Sequence, residues 1–254
     1  MGTYCITGGA SGIGAGIVDR LRSDQHEVFT VDLRNADIEA DLSTPKGRDA
    51  AIEAIRAKAP GGLDGFVPCA GIGPHVQPIS LIPRVNFFGA VALTDALCPD
   101  LAKRKGSVVM ISSNSSRMGE ADPVFVEKLL DGDEAGAAAY IEDKDGQTAY
   151  GHGKFAITVW MRRNASRFIA DGVRINAVAP GYVTTALTDA GGEDPVFGPA
   201  IAAFVETIPV GRPGIPADIA HPVAWLLSPE ASFVCGSVLY ADGGHDAMLR
   251  PDSY

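Results

Sequence analysis

Short apolar runs and longer amphipathic segments alternate along most of this chain. Six runs are apolar or rich in β-branched residues, as expected of buried strands: Tyr4–Thr7, Val28–Asp32, Gly65–Cys69, Ser107–Ser112, Val173–Ala177 and Ser237–Ala241. Between them, helical spacing predicts helices near 12–22, 45–58, 84–103, 149–170 and 216–228. Alternation of strand and helix is typical of βαβ units. We therefore expect a single α/β domain over residues 1–254, with a doubly wound parallel sheet and helices on both faces.

Two segments interrupt this alternation. Residues 118–147 contain nine acidic and two basic side chains, and Pro123–Leu130 and Glu134–Ile141 within them could each form a short helix. A second segment, about 184–215, is rich in Pro, Gly and apolar residues, so we interpret it as a substrate lid. Helical packing against the core is the alternative. The apolar residues of this second segment are Val196, Phe197, Ile201, Phe204, Val205 and Ile208.

Composition and charge exclude several classes of protein. The 254 residues are 46% hydrophobic, which is typical of a globular chain, and the net charge is −10. Most of that charge lies in residues 118–147. Nucleic acids and anionic membrane surfaces bind basic footprints, so we expect neither as a partner. No basic leader followed by an apolar run is present, which favours a cytoplasmic protein. The four cysteines are widely spaced and no His/Cys cluster has metal-ligand spacing, so we expect reduced thiols and no metal site.

A glycine-rich turn follows the first predicted strand and opens the first helix. Residues 7–14 read Thr-Gly-Gly-Ala-Ser-Gly-Ile-Gly. Small residues let the backbone approach a pyrophosphate, and the helix N-terminus offers it unpaired N–H groups and a positive dipole end. The spacing differs from the common G-x-G-x-x-G. Its position in the first βα unit nevertheless predicts a Rossmann-like dinucleotide site.

Acidic residues near the second strand bear on the choice of dinucleotide. Asp32 ends that strand, where a carboxylate can bind the adenosine ribose hydroxyls and would repel a 2′-phosphate. Arg34 could instead favour that phosphate, but on balance we expect NAD rather than NADP. Asp41 and Leu42 could contact the adenine. Asp41 could equally be a plain turn residue ahead of the helix that Thr44 caps.

A Tyr-x-x-x-Lys pair points to acid–base chemistry. Tyr150 and Lys154 lie one turn apart at the start of a predicted helix. A free tyrosine has a pKa of about 10, and a nearby lysine would lower it by stabilising the phenolate. Tyr140 and Lys144 have the same spacing, but acidic neighbours of that lysine oppose a phenolate. Ser113 follows a predicted strand, where a hydroxyl can polarise a carbonyl group.

Together these motifs resemble the short-chain dehydrogenase/reductase family over nearly the whole chain. The matching stretches are TGGASGIG at 7–14, Asp32, CAG at 69–71, VN at 85–86, ISS at 111–113, YxxxK at 150–154, PG at 180–181 and DGG at 242–244. The resemblance implies that Tyr150 is the general acid/base and that Lys154 tunes it and binds ribose. It also implies that Ser113 donates a hydrogen bond to the carbonyl oxygen of the substrate and that Asn86 holds a water molecule in a proton relay.

The residue patterns and the resemblance together predict the cofactor site. The resemblance assigns the nicotinamide carboxamide to Val183 and Thr185. The complete predicted set is Gly8, Ser11, Gly12, Ile13, Gly14, Asp32, Leu33, Asp41, Leu42, Cys69, Ala70, Gly71, Tyr150, Lys154, Pro180, Gly181, Val183 and Thr185.

The chain departs from the family pattern at two places. Pro68-Cys69 stands where the family usually has Asn-Asn before Ala-Gly, so another group must bridge the strands there. The interval from Ser113 to Tyr150 is long because it holds the acidic segment. In family members the Tyr-Lys helix commonly packs against its copy in a neighbouring subunit, and the insertion would cover that face. We therefore expect a homodimer with a different two-fold contact; a tetramer, or a solvated flap without effect on assembly, are the alternatives.

Within the family, the resemblance is greatest to the bacterial 3α-hydroxysteroid dehydrogenase/carbonyl reductase group. It implies an NAD(H)-dependent oxidoreductase of secondary alcohols and ketones, acting on 3α-hydroxysteroids and 3-oxosteroids or related bulky apolar carbonyls. One alternative is a dehydrogenase of small aryl or alicyclic secondary alcohols. Another is a non-catalytic NAD(H)-binding sensor, which the presence of all four candidate catalytic residues disfavours. An acyl-carrier-linked ketoreductase is disfavoured because this acidic chain offers little basic docking face.

Overall fold

A seven-stranded parallel sheet forms the centre of the fold. The structure is a computed structural model that describes residues 1–188 and 198–253. The strands are β1 Thr3–Thr7, β2 Glu27–Asp32, β3 Ile38–Glu39, β4 Gly65–Pro68, β5 Ser107–Ile111, β6 Arg174–Pro180 and β7 Val238–Ala241. Their order across the sheet is β3-β2-β1-β4-β5-β6-β7, and each neighbouring pair is parallel. The winding direction therefore reverses between β1 and β4, where open α/β sheets form a ligand-binding crevice.

Helices cover both faces of this sheet, as the sequence pattern predicts. They are α1 Gly12–Ser23, α2 Pro45–Lys58, α3 Leu81–Ala102, α4 Pro123–Leu130, α5 Glu134–Glu142, α6 Gly146–Ala170, α7 Gly198–Glu206, α8 Pro216–Leu227 and α9 His245–Leu249. Short 3₁₀ turns occupy Asn114–Arg117 and Pro229–Ala231. The start of α2 follows the prediction closely, because Pro45 is its first residue and Oγ1 of Thr44 accepts the N–H of Gly47 at 3.1 Å.

Each face of the sheet has its own apolar core. Consecutive residues of β1 point to opposite faces, so Cys5 packs in one cluster with α2, α3 and α6, whereas Ile6 packs in the other with α1 and α8. Both residues are fully buried. This two-sided burial explains why the strands read as continuous apolar runs rather than alternating ones.

The acidic segment 118–147 is a packed part of the fold and not a solvated flap. Its two predicted helices form as α4 and α5, and Phe125, Leu129 and Ile141 are buried in the same core as α6. The backbone N–H of Asp122 donates to Nδ1 of His152 in α6 at 3.1 Å. The insertion therefore covers part of the helix that carries Tyr150.

Three further features refine the predicted elements. Strand β6 extends to Pro180, beyond the predicted end at Ala177, because its last four residues pair with β7.

Among the described residues, helix α3 is the one helix that is long and apolar enough to span a membrane. However, 61% of its apolar window is buried within the fold. Of the predicted lid at 184–215, residues 189–197, with Val196 and Phe197, lie outside the described residues.

Candidate active site

A cavity of about 290 Å³ opens at the carboxyl ends of the strands, beside the winding reversal. Every residue predicted to bind the cofactor lines it, and so does Ser113. The structure thus brings the glycine-rich turn, the end of β2 and the Tyr-Lys helix together at one site. The other lining residues, which were not predicted, are Ala40, Ile72, Val85, Ile111, Ser112, Ala186, Leu187 and Thr188.

The glycine-rich turn needs its glycines because other parts of the backbone approach closely. A methyl group on Gly8 would lie 2.6 Å from Cα of Ala70, and one on Gly14 would lie 2.0 Å from the carbonyl oxygen of Gly8. Gly8 also has a positive φ of 68°. Ser11 begins α1 without a capping bond from its side chain, and the first turn holds no acidic residue. The N-terminus of α1 therefore fits an anionic group in the cavity.

The carboxylate of Asp32 lies at the edge of the cavity next to this turn. Its two oxygens accept the backbone N–H of Ala10 at 3.1 Å and of Leu33 at 2.7 Å. Arg34 is exposed. Asp41 lines the cavity, but its Oδ1 also accepts the N–H and the hydroxyl of Ser43, at 2.9 and 2.6 Å. Asp41 is therefore a turn residue, as one of the two predictions had it, and its contact with adenine stays a prediction.

Ser113 is arranged as a hydrogen-bond donor towards Tyr150. Its Oγ accepts the N–H of Ser115 at 3.2 Å and the hydroxyl of Ser115 at 2.9 Å, which occupies both lone pairs. The Ser113 proton is therefore free to donate, and a hydrogen bond from Ser113 lowers the pKa of Tyr150. Burial has the larger effect and raises the pKa of Tyr150 above its usual value.

Lys154 is 5% exposed and held by the sheet rather than by Tyr150. Its Nζ donates to the carbonyl oxygen of Ile111 at 2.8 Å and lies 5.8 Å from the centre of the Tyr150 ring. Burial lowers the pKa of Lys154 to about 8. Burial sets the direction of the Tyr150 pKa, which is upward, and the predicted lowering by Lys154 stays a prediction.

Known proteins resemble this chain in sequence over both halves of its length. The family profile described as "short chain dehydrogenase" matches residues 3–124, and the one described as "Enoyl-(Acyl carrier protein) reductase" matches residues 136–246. The 3-alpha-hydroxysteroid dehydrogenase/carbonyl reductase of Comamonas testosteroni is 39% identical over the full length of both chains. The chain belongs to the short-chain dehydrogenase/reductase family. The acetoacetyl-CoA reductase of Synechocystis sp. is 32% identical and covers 94% of each chain.

A solved structure of this family matches the whole fold. The 3-alpha-hydroxysteroid dehydrogenase from Pseudomonas sp. B-0831, crystallised with NADH, has a TM-score of 0.96 and 42% sequence identity. The match covers 99% of this chain and 100% of that one. The two chains therefore share one fold over nearly their whole length.

The departure from the short-chain dehydrogenase/reductase pattern at Pro68-Cys69 has a structural answer. Oγ1 of Thr7 accepts the backbone N–H of Ala70 at 3.0 Å, so a hydroxyl on β1 holds the segment that follows β4. Cys69 lines the cavity as a neutral thiol, because burial raises its pKa to about 12. Thr7 therefore provides a bridge between these neighbouring strands.

Asn86 lies behind the cavity wall rather than in it. It is 1% exposed and occupies a π-helical turn, Arg84–Gly89, within α3. Its Oδ1 accepts the N–H of Ile72 at 2.8 Å, and its Nδ2 donates to the carbonyl oxygen of Ile72 at 2.9 Å. The carboxamide therefore clamps the loop that lines the cavity. The predicted water-relay role stays a prediction, and the predicted catalytic side chains that line the cavity are Ser113, Tyr150 and Lys154.

Sequence reasoning missed residues that support those catalytic side chains. Ser115 orients Ser113, and the repeated hydroxyls of Ser-Ser-Asn-Ser-Ser were the signal that could have found it. The hydroxyl of Ser112 lies 2.8 Å from Oγ1 of Thr158 and donates to the carbonyl of Lys154 at 3.2 Å, which ties β5 to α6. No spacing rule in the sequence indicates that pair.

The buried lysine predicts a pH-dependent gain of stability on substitution. A pKa of about 8 in the folded chain, against about 10.4 unfolded, means that burying the charged lysine costs on the order of 3 kcal/mol below pH 8. Lys154→Met removes that cost but leaves the Ile111 carbonyl without its donor, so we expect a net gain of about 1–2 kcal/mol near pH 7. Chemical denaturation of both proteins measures the difference.

The sign of the pH effect follows from proton binding. Between pH 8 and about 10.4 the unfolded chain binds more protons than the folded one, so wild-type stability rises with pH in this window. The advantage of Lys154→Met should therefore shrink towards about pH 10. A difference that grows with pH would contradict this account. Exposed Lys46→Met serves as the control and should show no such trend.

Proposed function

We propose that this protein is an NAD(H)-dependent oxidoreductase that interconverts 3α-hydroxysteroids and 3-oxosteroids, or related bulky apolar alcohols and ketones. The observation that carries the proposal is that Ser113, Tyr150 and Lys154 line the same cavity as the glycine-rich turn. The relatives support the substrate class, because the Comamonas protein and the Pseudomonas structure are both named 3-alpha-hydroxysteroid dehydrogenases.

The dinucleotide end of the cavity supports NAD as the cofactor. The glycine-rich turn and the N-terminus of α1 fit the pyrophosphate. The backbone packs so closely at Gly8 and Gly14 that a side chain at either position would clash with it, as expected of a turn that approaches a pyrophosphate. Asp32 puts a carboxylate where a ribose 2′-hydroxyl can donate to it and where a 2′-phosphate would be repelled. The Pseudomonas relative was solved with NADH. NADP is the weaker alternative.

The residues at the other end support proton transfer to a carbonyl oxygen. The bound nicotinamide supplies a hydride for reduction and accepts one in oxidation. Ser113 and Tyr150 donate hydrogen bonds to the carbonyl oxygen, and Tyr150 then transfers its proton to that oxygen. The raised pKa of Tyr150 keeps it protonated at neutral pH, as a proton donor must be. The positive charge of Lys154 stabilises the phenolate that remains.

Steady-state kinetics with a panel of ketones test this proposal. A 3-oxosteroid, an aryl ketone and a small alicyclic ketone are each assayed with NADH and with NADPH. We expect turnover with NADH at a higher kcat/KM than with NADPH, and the highest kcat/KM for the steroid. Preference for the small ketones would favour the alternative of a small-alcohol dehydrogenase. NADH binding without turnover of any ketone would favour the sensor.

The assembly proposed for this enzyme is a homodimer formed away from α6. The insertion covers part of α6, as described above, whereas β7 is an edge strand of the sheet. Large apolar side chains are exposed on β7 and on the segments that precede it in the chain: Leu239 on β7, Phe233 ahead of it and Trp225 on α8. An exposed edge strand with apolar neighbours favours pairing with a second copy.

Light scattering with two matched variants tests the dimer. We expect the wild type to be a dimer and Leu239→Arg to shift it to monomers, because a charge would be buried in the contact. Ile169→Arg, at an exposed apolar position near the end of α6, should remain a dimer. A tetramer, or dissociation by Ile169→Arg but not by Leu239→Arg, would contradict the proposed contact.

A further inference from the structure

A buried arginine joins the insertion to two segments that line the candidate cavity. Arg48, one turn into α2, is 6% exposed and does not itself line the cavity. Its Nε donates to the carbonyl oxygen of Leu42 at 2.9 Å, and its Nη2 donates to the carbonyl oxygens of Ser43 and Arg84, each at 3.3 Å. Leu42 lines the cavity, and so does Val85, the residue after Arg84. One guanidinium group therefore fixes the backbone of both segments.

The insertion holds this guanidinium group in place. Glu134, the first residue of α5, accepts Nη1 of Arg48 through Oε2 at 2.8 Å and Nη2 through Oε1 at 2.7 Å, so the pair is bidentate. The two side chains are 7% and 22% exposed, respectively, for Arg48 and Glu134. A bidentate pair fixes the orientation of the guanidinium plane as well as its position. The direction in which Nε points, towards Leu42, thus depends on a carboxylate 86 residues further along the chain.

The stability of α2 does not explain why a buried arginine stands at this position. The first turn of α2, Pro45–Arg48, holds no acidic side chain. A positive charge near a helix N-terminus opposes the helix dipole, and burial adds a desolvation cost. A buried ion pair is weak evidence for stability, because apolar side chains of similar volume are often at least as stable. What this pair supplies, and apolar side chains cannot, is a set of donors for the carbonyl groups of the cavity wall.

We propose that Arg48 and Glu134 are positioning residues that shape the dinucleotide end of the cavity for the cofactor. The inference rests on the proposed function and gives the insertion a part in cofactor affinity. Leu42 follows β3, which pairs with β2 beside Asp32, so it belongs to the end of the cavity that holds this carboxylate. The ion pair acts on the adenosine half of the dinucleotide through the backbone of Leu42 and Ser43, without contacting the cofactor itself.

Binding of NADH and of ADP-ribose, which contains the adenosine half but no nicotinamide, tests this role. Glu134→Ala leaves the buried guanidinium group without its counter-ion, so the carbonyl groups of Leu42 and Ser43 lose a donor of fixed orientation. We expect Kd for both ligands, measured by calorimetry, to rise by about 10-fold, the effect of losing one good contact. Turnover at saturating NADH should keep its kcat within about 3-fold, because the catalytic side chains are untouched.

Two single variants of the insertion calibrate this effect. Glu134→Gln keeps an acceptor for one guanidinium nitrogen but removes the charge, so its Kd for ADP-ribose should lie between those of the wild type and Glu134→Ala. Glu127→Ala removes an equal charge from an exposed position on α4 and should change Kd by less than about 2-fold, since exposed charges are screened. An equal rise in Kd for Glu127→Ala would mean that net charge sets the affinity, and it would overturn the inference.

The double variant Arg48→Met with Glu134→Leu separates positioning from stability. It removes both buried charges, so it should resist urea better than Arg48→Ala does. It offers no donor to the carbonyl groups of Leu42 and Ser43, so Kd for ADP-ribose should stay raised. Wild-type affinity in this double variant, or in folded Glu134→Ala, would contradict the inference and leave the proposed function intact. A wild type that binds neither NADH nor ADP-ribose would overturn the proposed function, and this inference with it.

Discussion

Tyr150→Phe is expected to lower ketone turnover by about 10²–10⁴-fold, the usual contribution of a positioned general acid. Phenylalanine keeps the ring and its packing but removes the hydroxyl that Ser113 contacts. The carbonyl oxygen then loses one hydrogen-bond donor and its proton source, so the loss should fall mainly on kcat. NADH affinity should stay within about 3-fold, because the glycine-rich turn and Asp32 are untouched.

The chain contains a matched control for this variant. Tyr140 and Lys144 repeat the Tyr-x-x-x-Lys spacing, but the Tyr140 hydroxyl donates to Asp122 at 2.9 Å within the insertion. Tyr140 does not line the cavity. Tyr140→Phe should therefore retain kcat within about 3-fold. Retained turnover in Tyr150→Phe, or an equal loss in Tyr140→Phe, would show that the acid has been misassigned.

Arg48→Ala is expected to lower the free energy of unfolding by about 3–5 kcal/mol, as found when one partner of a buried ion pair is removed. Arg48 is 6% exposed and binds both oxygens of Glu134 at 2.7 and 2.8 Å. It also donates to the carbonyls of Leu42, at 2.9 Å, and of Ser43 and Arg84, each at 3.3 Å. Its removal leaves several buried acceptors without a donor.

Urea denaturation compares this variant with an exposed ion pair that also joins an arginine to a carboxylate. Arg20 and Asp24 form an i, i+4 pair on α1, with each side chain 37% exposed. Arg20→Ala should cost no more than about 0.5 kcal/mol. A similarly small loss for Arg48→Ala would mean that the ion pair between Arg48 and Glu134 does not hold the insertion to α2.

The residues that line the candidate site could be predicted because they belong to local patterns. The glycine-rich turn, the Asp32 carboxylate and the Ser113 hydroxyl lie at the ends of β1, β2 and β5, and the composition of each of these strands predicts it. Parallel strands bring their carboxyl ends to one edge, so these residues had to meet there. The start of α2 at Thr44-Pro45 was predictable for the same reason, since a cap depends only on neighbours in sequence.

Contacts between distant segments could not be predicted in this way. Arg48 and Glu134 are 86 residues apart, and both resemble ordinary surface charges of amphipathic helices. The clamp of Asn86 on Ile72 depends on a π-helical turn that no spacing signals. The hydrogen bond from Lys154 to the carbonyl oxygen of Ile111 depends on how α6 packs on β5.

The central claim is that a ketone bound beside Ser113 and Tyr150 is reduced by direct hydride transfer from NADH. Mass spectrometry of the alcohol formed from a 3-oxosteroid with NADH deuterated at nicotinamide C4 tests it most directly. Deuterium from one face of the nicotinamide should appear at the new carbinol carbon, about one atom per NADH oxidised. An alcohol without deuterium from either face, or oxidation of NADH without alcohol formation, would contradict the account.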